Sequence, residues 1–364
     1  MRRIPVKLKA NPYPVLVASG LLRRAGREIR RVLPSRSSRI FVITSPNVRR
    51  HWGATLEESL QAARLPYEIL EMNDGEPAKR LQTVEQLAEQ MVNSMADRKS
   101  MVLAFGGGVV GDSAGLLAAI FMRGVPVIQV PSTYLAQVDA SIGGKTGVNL
   151  RAGKNLLGAF HQPRAVLVDP DLLETLNDRE FRAGLFEALK CGVIRDARLF
   201  EFMTSSSRKI LDRNRKAVER TVVDSIKVKA EVVAADEKES DLRRILNFGH
   251  TIGHALESAT NYSHFLHGEA VAWGMKAAAS LAEEAGLCSA ETARKIVEAV
   301  DCYGPLPAIP CAVEDVLSRL SSDKKTIAGK VHFILPRKIG KVAITSDIRP
   351  ELVHRAVERI IANG

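Results

Sequence analysis

The sequence has few of the features that mark disulfide-linked folds or nucleic-acid-binding proteins. Four cysteines occur among 364 residues, and none of them forms a CxxC pair. Aromatic residues make up 5% of the chain, and the basic residues form neither a tail nor a cluster interleaved with aromatics. A chain of this length needs no disulfides to fold, so we expect free thiols and a reducing, cytoplasmic location. The dispersed charge argues against nucleic acid as a partner.

The sequence also lacks a long apolar run. The run Ala114–Met122 stops at Arg123, well short of the roughly 20 residues that a membrane-spanning helix needs. The N-terminal segment MRRIPVKLKANPYPV is basic but has no continuous apolar stretch of the kind found in signal peptides. We therefore expect no membrane partner.

Chain length and charge indicate two domains and an anionic ligand. Single hydrophobic cores stop growing near about 250–300 residues, and this chain has 364. Lysine and arginine number 52 against 41 aspartates and glutamates, which gives a net charge of +11. This excess favours an anionic partner through the summed field of the protein. A small molecule with phosphate or carboxylate groups suits such dispersed charge.

The hydrophobic pattern predicts an α/β part followed by a helical part. Short β-branched runs separated by amphipathic segments are typical of a parallel sheet covered by helices. The runs are Arg39–Thr44, Met101–Phe105, Pro126–Val130 and Ala165–Asp169. The later helical patterns are Phe181–Ile194, Ala217–Ala235, His250–Ala259, Glu269–Ala285 and Ala290–Val300. We predict an α/β domain over residues 1–177 and an all-α domain over residues 178–364.

A glycine-rich turn lies between a predicted strand and a predicted helix. The segment Gly106–Asp112, GGGVVGD, contains the spacing GxGxxG. Glycines let the backbone approach a pyrophosphate, and a helix N-terminus offers it free N–H groups. The next predicted strand ends in PST and lacks the acidic residue that usually binds the ribose. The loop Asp74–Lys79 is a candidate to provide that acidic residue. The turn indicates a dinucleotide site, with an ordinary glycine turn as the alternative.

A second segment is dense in glycine, lysine and amide side chains. It runs from Gln137 to Asn149 and continues at Gly153–Asn155. Its GGKT sequence resembles the end of a P-loop, but the first glycine of GxxxxGK[ST] is missing, so a nucleotide triphosphatase is disfavoured. We expect a flexible loop whose Lys145 and Lys154 bind a phosphate or carboxylate, with a solvated loop as the alternative.

Two groups of polar residues in the helical half could support chemistry. Glu187 and Lys190 share one face of a predicted helix, which is compatible with a surface salt bridge or, given their apolar neighbours, a functional pair. Imidazoles suit Zn²⁺, and spacing alone would pair His250 with His254. His254 could equally be a hydrogen-bond partner or a general acid/base, and histidines that only pack are the alternative for the whole group.

The same region contains His264 and His267, together with several basic residues. By themselves, Lys229 and Arg243 are typical of a charged, solvated surface. The pair Lys324 and Lys325 lies in a predicted loop far along the chain.

Six sequence blocks follow one another along nearly the whole chain: GGGVVGDSAG, QVPSTYLAQVDASIGGKTGVN, GKNLLGAFHQP, GLFEALK, LNFGHTIGHALE and HGEAVAWGM. Together they resemble the 3-dehydroquinate synthase family of sugar-phosphate cyclases. The resemblance implies an N-terminal Rossmann-like domain that binds NAD⁺. It also implies an all-α C-terminal domain that binds one divalent metal ion, Zn²⁺ or Co²⁺, and a homodimer.

The resemblance further implies roles for individual residues. The metal ligands would be Glu187, His250 and His267, which assigns His254 to the substrate and to proton transfer. The NAD⁺ contacts would be Asp74, Gly75, Glu76, Pro77, Ala78, Lys79, Gly108, Val109, Val110, Gly111, Asp112, Ser132, Thr133, Lys145, Lys154, Leu172, Leu173, Glu174 and Thr175. The catalytic and substrate contacts would be Arg123, Asp139, Lys145, Asn155, Lys190, Lys229, Arg243, Asn247, His254 and one of Lys324 or Lys325.

The implied substrate is 3-deoxy-D-arabino-heptulosonate 7-phosphate, a phosphorylated and carboxylated sugar acid. In this family a hydroxyl is transiently oxidised by NAD⁺, phosphate is eliminated, the hydride returns, the ring opens and an intramolecular aldol closure gives 3-dehydroquinate. Three alternatives stay open. They are a sister cyclase for another sugar phosphate, a metal-dependent polyol dehydrogenase that would accumulate NADH, and an inactive binding protein on the same scaffold.

Overall fold

The structure is a computed structural model that describes residues 1–33, 35, 38–322 and 331–362. The chain divides into two units: the first comprises Met1–Asn177 and Lys229–Lys238, and the second comprises Asp178–Val228 and Glu239–Gly364. This division groups residues 229–238 with the first unit. The predicted domains, residues 1–177 for NAD⁺ and residues 178–364 for the metal ion and the substrate, stay predictions. Lys324 and Lys325 lie outside the described residues.

The first unit is built on a seven-stranded sheet. The strands described in this unit are β1 (Arg2–Val6), β2 (Tyr13–Val17), β3 (Ile40–Thr44), β4 (Tyr67–Glu71), β5 (Met101–Gly106), β6 (Val127–Pro131), β7 (Lys145–Leu150), β8 (Gly153–Phe160) and β9 (Ala165–Val168). The sheet has the order β1-β2-β9-β6-β5-β3-β4. All its neighbours are parallel except β1 and β2. This confirms the predicted parallel-sheet α/β part.

Helices cover both faces of this sheet. They are α1 (Ala25–Arg30), α2 (Pro46–Val48), α3 (Ala54–Ala62), α4 (Leu81–Asn93) and α5 (Gly108–Ile120). Ile40 and Val42 of β3 belong to a hydrophobic cluster that includes residues of α1 and α3. Phe41 and Ile43 belong to the opposite cluster, which includes residues of α4 and α5. Because successive strand side chains point to opposite faces, a strand covered on both is apolar throughout.

The order of the parallel strands determines where a ligand can bind. If β3, β4, β5, β6 and β9 are renumbered 1 to 5 in chain order, their order in the sheet is 2-1-3-4-5. The chain therefore leaves β3 toward one edge of the sheet and leaves β5 toward the other. In such sheets the loops at the carboxyl ends of the strands separate at the reversal and leave a crevice. Here the crevice lies between β3 and β5, where the glycine-rich turn connects β5 to α5.

β7 and β8 form an antiparallel hairpin, so the expected flexible loop is wrong for residues 145–155. Val148 of β7 is fully buried in the cluster that includes residues of α5. A Cβ atom on Gly158 would lie 2.1 Å from the carbonyl oxygen of Thr146 on the paired strand. The glycines therefore allow two strands to approach closely, which composition alone does not distinguish from flexibility.

The second unit is mainly helical. Its helices are α6 (Asp178–Ile194), α7 (Ala197–Ser205), α8 (Ser207–Leu211), α9 (Arg215–Ala235, whose end belongs to the first unit), α10 (His250–Ala259), α11 (His267–Glu284), α12 (Ala290–Asp301), α13 (Val313–Ser322) and α14 (Pro350–Ala362). They confirm the predicted helical part. None of the described helices is both long enough and apolar enough to span a lipid bilayer.

The second unit also contains a hairpin that the all-α prediction does not include. Its strands are β10 (Phe333–Lys338) and β11 (Lys341–Thr345). Gly340 lies in the turn with a φ of +83°, and its N–H donates to the carbonyl oxygen of Val193 in α6 at 2.9 Å. Two strands this short give little periodic signal in the sequence.

Candidate active site

Helix α6 carries a buried acid and a buried base one turn apart. Glu187 and Lys190 are each 1% exposed and form an ion pair. Almost every residue of α6 from Phe181 onward is buried, so the surface salt bridge considered from the sequence is excluded. Because desolvation offsets most of the attraction between two buried charges, such a pair contributes little to stability. Buried ionisable pairs are more typical of functional sites.

Three histidines lie close to this carboxylate. His250 and His254 are one turn apart on α10, and His267 is the first residue of α11. The Nε2 atoms of His250 and His267 are 3.7 Å and 3.5 Å from Glu187 Oε1. Ring nitrogens of the three histidines all lie within 4.8 Å of one another. The structure therefore brings the three expected metal ligands together, with His254 beside them.

Glycines allow α10 and α11 to approach closely. A Cβ atom on Gly274 would lie 1.8 Å from the carbonyl oxygen of Gly249, and one on Gly253 would lie 2.8 Å from the carbonyl oxygen of Ala270. Gly253 precedes His254 directly. The absence of side chains at these glycines thus lets the backbone of α11 lie against the start of α10, next to His250 and His254.

The orientation of the ring nitrogens fits a divalent metal ion. His250 Nδ1 is 3.1 Å from the carbonyl oxygen of Phe248, and His267 Nδ1 is 3.2 Å from Glu257 Oε2. When Nδ1–H donates to these acceptors, each Nε2 directs its lone pair toward Glu187. Glu187 Oε1 is buried and accepts no hydrogen bond from any residue that the structure describes, which is unusual for a buried polar atom. Two imidazoles and one carboxylate form a typical ligand set for catalytic Zn²⁺.

The pKa of His267 is subject to opposing effects. Burial lowers the pKa, whereas the hydrogen bond with Glu257 and the negative charges of Glu257 and Glu187 raise it, and the net shift is upward. A metal ion at a histidine nitrogen must displace any proton bound there. Metal binding at this position therefore competes with protonation of His267.

The remaining predicted substrate residues of the second unit lie on the segment that leads into α10. Arg243 is 1% exposed and belongs to the 3₁₀ helix Leu242–Asn247. Asn247 ends this helix, and its Nδ2 donates to Glu239 Oε1 at 2.8 Å. The burial of Arg243 contradicts the solvated surface expected from the local sequence.

In the first unit, the predicted substrate residues lie after α5 and β6 and on the β7–β8 hairpin. Asp139 belongs to the short helix Ala136–Ala140, and its Oδ1 is 2.6 Å from Nζ of Lys229. Lys229 is 6% exposed, so the solvated face expected for it is wrong. Arg123 is exposed in the turn after α5, with a φ of +71°. Lys145 is exposed on β7, and Lys154 is half-buried on β8.

The predicted cofactor residues of the first unit lie mostly in loops at the carboxyl ends of the parallel strands. Gly108–Asp112 begin α5 after β5, Ser132 and Thr133 follow β6, Leu172–Thr175 belong to the 3₁₀ helix Pro170–Thr175 after β9, and Asp74–Lys79 follow β4. Asp74 Oδ2 is 3.4 Å from the backbone nitrogen of Asn47, in the first turn after β3. The side chains of Val110, Leu172 and Leu173 are buried, so these residues can offer a cofactor little beyond their backbone.

The glycine-rich turn combines close packing with open space. A Cβ atom on Gly107 would lie 2.8 Å from Cγ2 of Thr133, so a larger residue here would force the Thr133 side chain to move. A Cβ atom on Gly108 would have Cβ of Ala140 as its nearest neighbour, at 3.6 Å. The N-terminus of α5 therefore has room for a phosphate group, which its N–H groups and dipole would attract.

A buried lysine links the loop after β4 to α5 and to the hairpin. Lys79 is 4% exposed, and its Nζ is 2.5 Å from Asp112 Oδ2 and from Asn155 Oδ1. Asn149 donates to Glu76 Oε1 at 2.7 Å and accepts from the N–H of Asn155 at 2.8 Å. Burial raises the pKa of Asp112, and the charge of Lys79 opposes this shift. This network fixes the loop considered as the source of a ribose-binding acid.

Sequence reasoning assigned no role to Glu257 or Trp52. Glu257 lies seven residues after His250, and this spacing on a helix could have placed it on the histidine face. Trp52 Nε1 donates to Thr175 Oγ1 at 2.9 Å. No local pattern connects Trp52 to Thr175, because the two residues are far apart in the chain.

The fold is shared with solved sugar-phosphate cyclases. A 2-epi-5-epi-valiolone synthase from Streptomyces hygroscopicus subsp. jinggangensis 5008, solved with NAD⁺ and Zn²⁺, is 29% identical and has a TM-score of 0.89 over 98% of this chain and 99% of that chain. A 2-deoxy-scyllo-inosose synthase, solved with carbaglucose-6-phosphate, NAD⁺ and Co²⁺, is 26% identical and has a TM-score of 0.89 over 98% of this chain and 100% of that chain. The fold places the chain in this class of cyclases.

Sequence comparison defines the family within the class. Residues 69–183 match the family described as "3-dehydroquinate synthase N-terminal", and residues 184–326 match the family described as "3-dehydroquinate synthase C-terminal". The 3-dehydroquinate synthase of Koribacter versatilis (strain Ellin345) is 51% identical over 99% of this chain and 98% of the relative. The 3-dehydroquinate synthase of Solibacter usitatus (strain Ellin6076) is 51% identical over 96% of this chain and 97% of the relative. The chain belongs to the 3-dehydroquinate synthase family, which confirms the predicted family, fold class and enzyme activity.

Proposed function

We propose that this enzyme converts 3-deoxy-D-arabino-heptulosonate 7-phosphate into 3-dehydroquinate and inorganic phosphate, using NAD⁺ and one divalent metal ion. The observation that carries the proposal is the buried Oε1 of Glu187, which faces Nε2 of both His250 and His267. These three residues would hold the metal. Relatives 51% identical over nearly the full chain support the substrate, and cyclases of the same fold were solved with NAD⁺ and Zn²⁺ or Co²⁺.

The chemistry of the bound groups leaves defined tasks to the protein. NAD⁺ supplies a hydride acceptor that is regenerated within each turnover, and the metal ion supplies a Lewis acid for the reacting hydroxyl. His254 has a ring nitrogen beside the ligand set, where it can hold and move a proton at the substrate. Lys190 carries its charge in a buried position next to Glu187. Such fixed charges bind and orient an anionic substrate without further reorganisation.

The substrate carries a phosphate and a carboxylate, which explains the number of cationic side chains. Arg243 presents a planar guanidinium fork of the kind that binds such oxyanions with two hydrogen bonds. Lys229 forms an ion pair with Asp139 in the first unit. The other proposed substrate contacts are Arg123, Lys145, Asn155 and Asn247. Lys324 or Lys325 completes the proposed set.

The crevice between β3 and β5 is the proposed NAD⁺ site. The pyrophosphate would lie at the N-terminus of α5, where Gly108 leaves space. Asp74 and Glu76, on the loop fixed by Lys79, offer carboxylates to ribose hydroxyls. Lys154 adds a positive charge from β8. The other proposed contacts come from Ser132–Thr133 and the backbone of residues 172–175.

The β7–β8 hairpin also supports a homodimer. Six of the eleven large apolar side chains that are exposed within the described ranges lie on this hairpin or at the end of α5, namely Ile120, Met122, Leu150, Leu156, Leu157 and Phe160. All of β8 from Asn155 to Gly158 is exposed. An apolar strand edge is complementary to a second copy of itself under two-fold symmetry. We propose that this surface binds a second copy of the chain.

We also propose a reducing, cytoplasmic location. No disulfide links any of the four cysteines, and Cys191 is buried. Free thiols persist in reducing compartments and form disulfides in oxidising ones.

The activity is tested with purified enzyme, the heptulosonate phosphate, catalytic NAD⁺ and Zn²⁺, with and without a chelator. We expect equal amounts of phosphate and 3-dehydroquinate, loss of both with the chelator, and no accumulation of NADH. Accumulating NADH would instead indicate a polyol dehydrogenase. Turnover only with other sugar phosphates would indicate a sister cyclase, and no turnover with any of them would favour an inactive scaffold.

The proposed dimer is tested by measuring the mass in solution for the wild type and for Leu157→Lys. We expect a dimer for the wild type and a monomer for the variant, because a buried lysine without a partner opposes association. Lys99→Ala, at an exposed loop position, is the control. A dimer of unchanged stability in Leu157→Lys would exclude this surface.

A further inference from the structure

We propose that Glu257 is a positioning residue for His267, fixing the direction of the imidazole so that Nε2 faces the metal position. This inference rests on the metal site of the proposed function. It adds a residue that binds neither metal nor substrate but controls one of the ligands.

Glu257 lies on the same helical face as the histidines of α10. His250, His254 and Glu257 occupy positions i, i+4 and i+7, which share one face of a helix. The side chain of Glu257 is 2% exposed. Burial of a carboxylate is costly unless it is hydrogen-bonded or paired with a charge. Hydrophobic packing therefore does not explain an acid at this position.

The contact of Glu257 is with the ring nitrogen that faces away from the proposed metal position. Its Oε2 is 3.2 Å from His267 Nδ1, whereas His267 Nε2 is 3.5 Å from Glu187 Oε1. When Nδ1 carries the proton and donates to Glu257, Nε2 keeps its lone pair for a metal ion. A carboxylate on the second nitrogen of a metal-binding histidine fixes the tautomer and increases the basicity of the ligand.

The two expected histidine ligands are oriented by different means. His250 Nδ1 is 3.1 Å from the carbonyl oxygen of Phe248, a neutral acceptor supplied by the neighbouring backbone. His267 instead depends on a charged side chain from another helix. The start of α11 has its own cap, because the N–H of Leu266 donates to Glu269 Oε2 at 2.8 Å. A change at Glu257 therefore acts on the ring of His267 and leaves this cap in place.

The test is the dissociation constant for Zn²⁺ of the metal-stripped full-length protein, measured by competition with a chromophoric chelator. We expect Glu257→Ala to weaken Zn²⁺ binding about 10- to 100-fold, the range found for partners of metal-binding histidines. Glu257→Gln should weaken it less, since the amide oxygen still accepts from Nδ1–H but carries no charge. Glu298→Gln is the matched control, because Glu298 on α12 is 57% exposed, and it should bind Zn²⁺ like the wild type.

A second measurement separates orientation from general destabilisation. The visible absorption of the Co²⁺-loaded protein reports the geometry of the ligands. We expect an altered spectrum for Glu257→Ala and a spectrum close to wild type for Glu257→Gln, with unchanged far-UV circular dichroism for both.

Two different failures can be distinguished. A folded Glu257→Ala variant with the wild-type Zn²⁺ constant and Co²⁺ spectrum would overturn the positioning role alone. If that variant does not fold, Glu257→Leu, which also removes the acceptor but keeps most of the volume, takes its place, and a wild-type Zn²⁺ constant for Glu257→Leu would overturn it. Failure of the wild type to bind Zn²⁺ would refute the proposed metal site itself.

Discussion

The contact between α10 and α11 at Gly274 predicts that a single methyl group damages both stability and metal binding. Helix propensity alone favours alanine over glycine by about 1 kcal/mol. In Gly274→Ala, however, the new Cβ would lie 1.8 Å from the carbonyl oxygen of Gly249 and 2.9 Å from the backbone nitrogen of Gly253. These are backbone atoms and cannot rotate away. The steric term therefore exceeds the propensity term, and the sign of the change is destabilising.

The magnitude follows from the distance that must be regained. Non-bonded carbon and oxygen atoms stay beyond about 3 Å, so the two helices must separate locally by more than about 1 Å. Overpacking of this kind costs roughly 1–3 kcal/mol, which corresponds to a fall in Tm of roughly 2–10 °C. The same separation moves His250 relative to His267, and metal–ligand distances tolerate only about 0.2 Å. A displacement near 1 Å at reacting groups costs on the order of 100-fold in rate.

The assay compares Gly274→Ala with Glu283→Ala, which introduces alanine at a half-buried position of the same helix. Tm is measured on metal-free protein, Zn²⁺ content by elemental analysis after dialysis, and kcat by phosphate release. We expect all three to fall for Gly274→Ala and to stay near wild type for the control. Wild-type Tm and Zn²⁺ content in Gly274→Ala would show that the contact at this glycine does not set the distance between the histidines.

Three further predictions concern single side chains. Glu187→Ala should lose bound Zn²⁺ by elemental analysis, because a three-ligand site loses its only carboxylate, and stoichiometric zinc in this variant would refute the ligand assignment. Lys190→Met should raise the substrate KM strongly with zinc content intact, since methionine has a similar volume to lysine but lacks its positive charge. Unchanged kinetics would show that Lys190 does not belong to the site. Lys79→Met should raise the Kd for NAD⁺ measured by calorimetry, because Asp112 and Asn155 lose the ammonium that joins them, whereas an unchanged Kd would show that the loop needs no such link.

Sequence patterns predict the sheet of the first unit because its strands are buried on both faces. Every residue of Ile40–Thr44 and of Met101–Gly106 is buried, so these strands appear as continuous apolar runs. The β7–β8 hairpin gives the opposite pattern. Its glycines, such as Gly158, serve close strand contact, and its outer residues are exposed, so no apolar period marks it as a strand. Composition could therefore suggest only a loop.

The candidate site shows a similar limit. The spacing of His250 and His254 is local and visible on one helix, and it suggests a metal-binding pair. The carboxylate that faces His250 comes from Glu187, on a helix far earlier in the chain, and His267 comes from the next helix. Only packing of α6, α10 and α11 brings these groups together. The family resemblance implies this set of ligands, whereas the spacing of residues in the sequence does not.

The solvated interpretation of Lys229 and Arg243 failed for a related physical reason. Both residues lie in strongly charged segments, where exposure is the usual outcome, yet Lys229 is 6% and Arg243 is 1% exposed. The cost of burying such cations is offset only by specific partners, and Lys229 has Asp139, which lies far away in the sequence. A buried cation in a charged segment therefore indicates that the fold is less stable than it could be because it positions a charge. The glycines at the contact of α10 and α11 carry a similar energetic cost, since each lowers helix propensity but allows the two helices to approach. Positions where local preference and structure disagree are thus those where this protein places its chemistry.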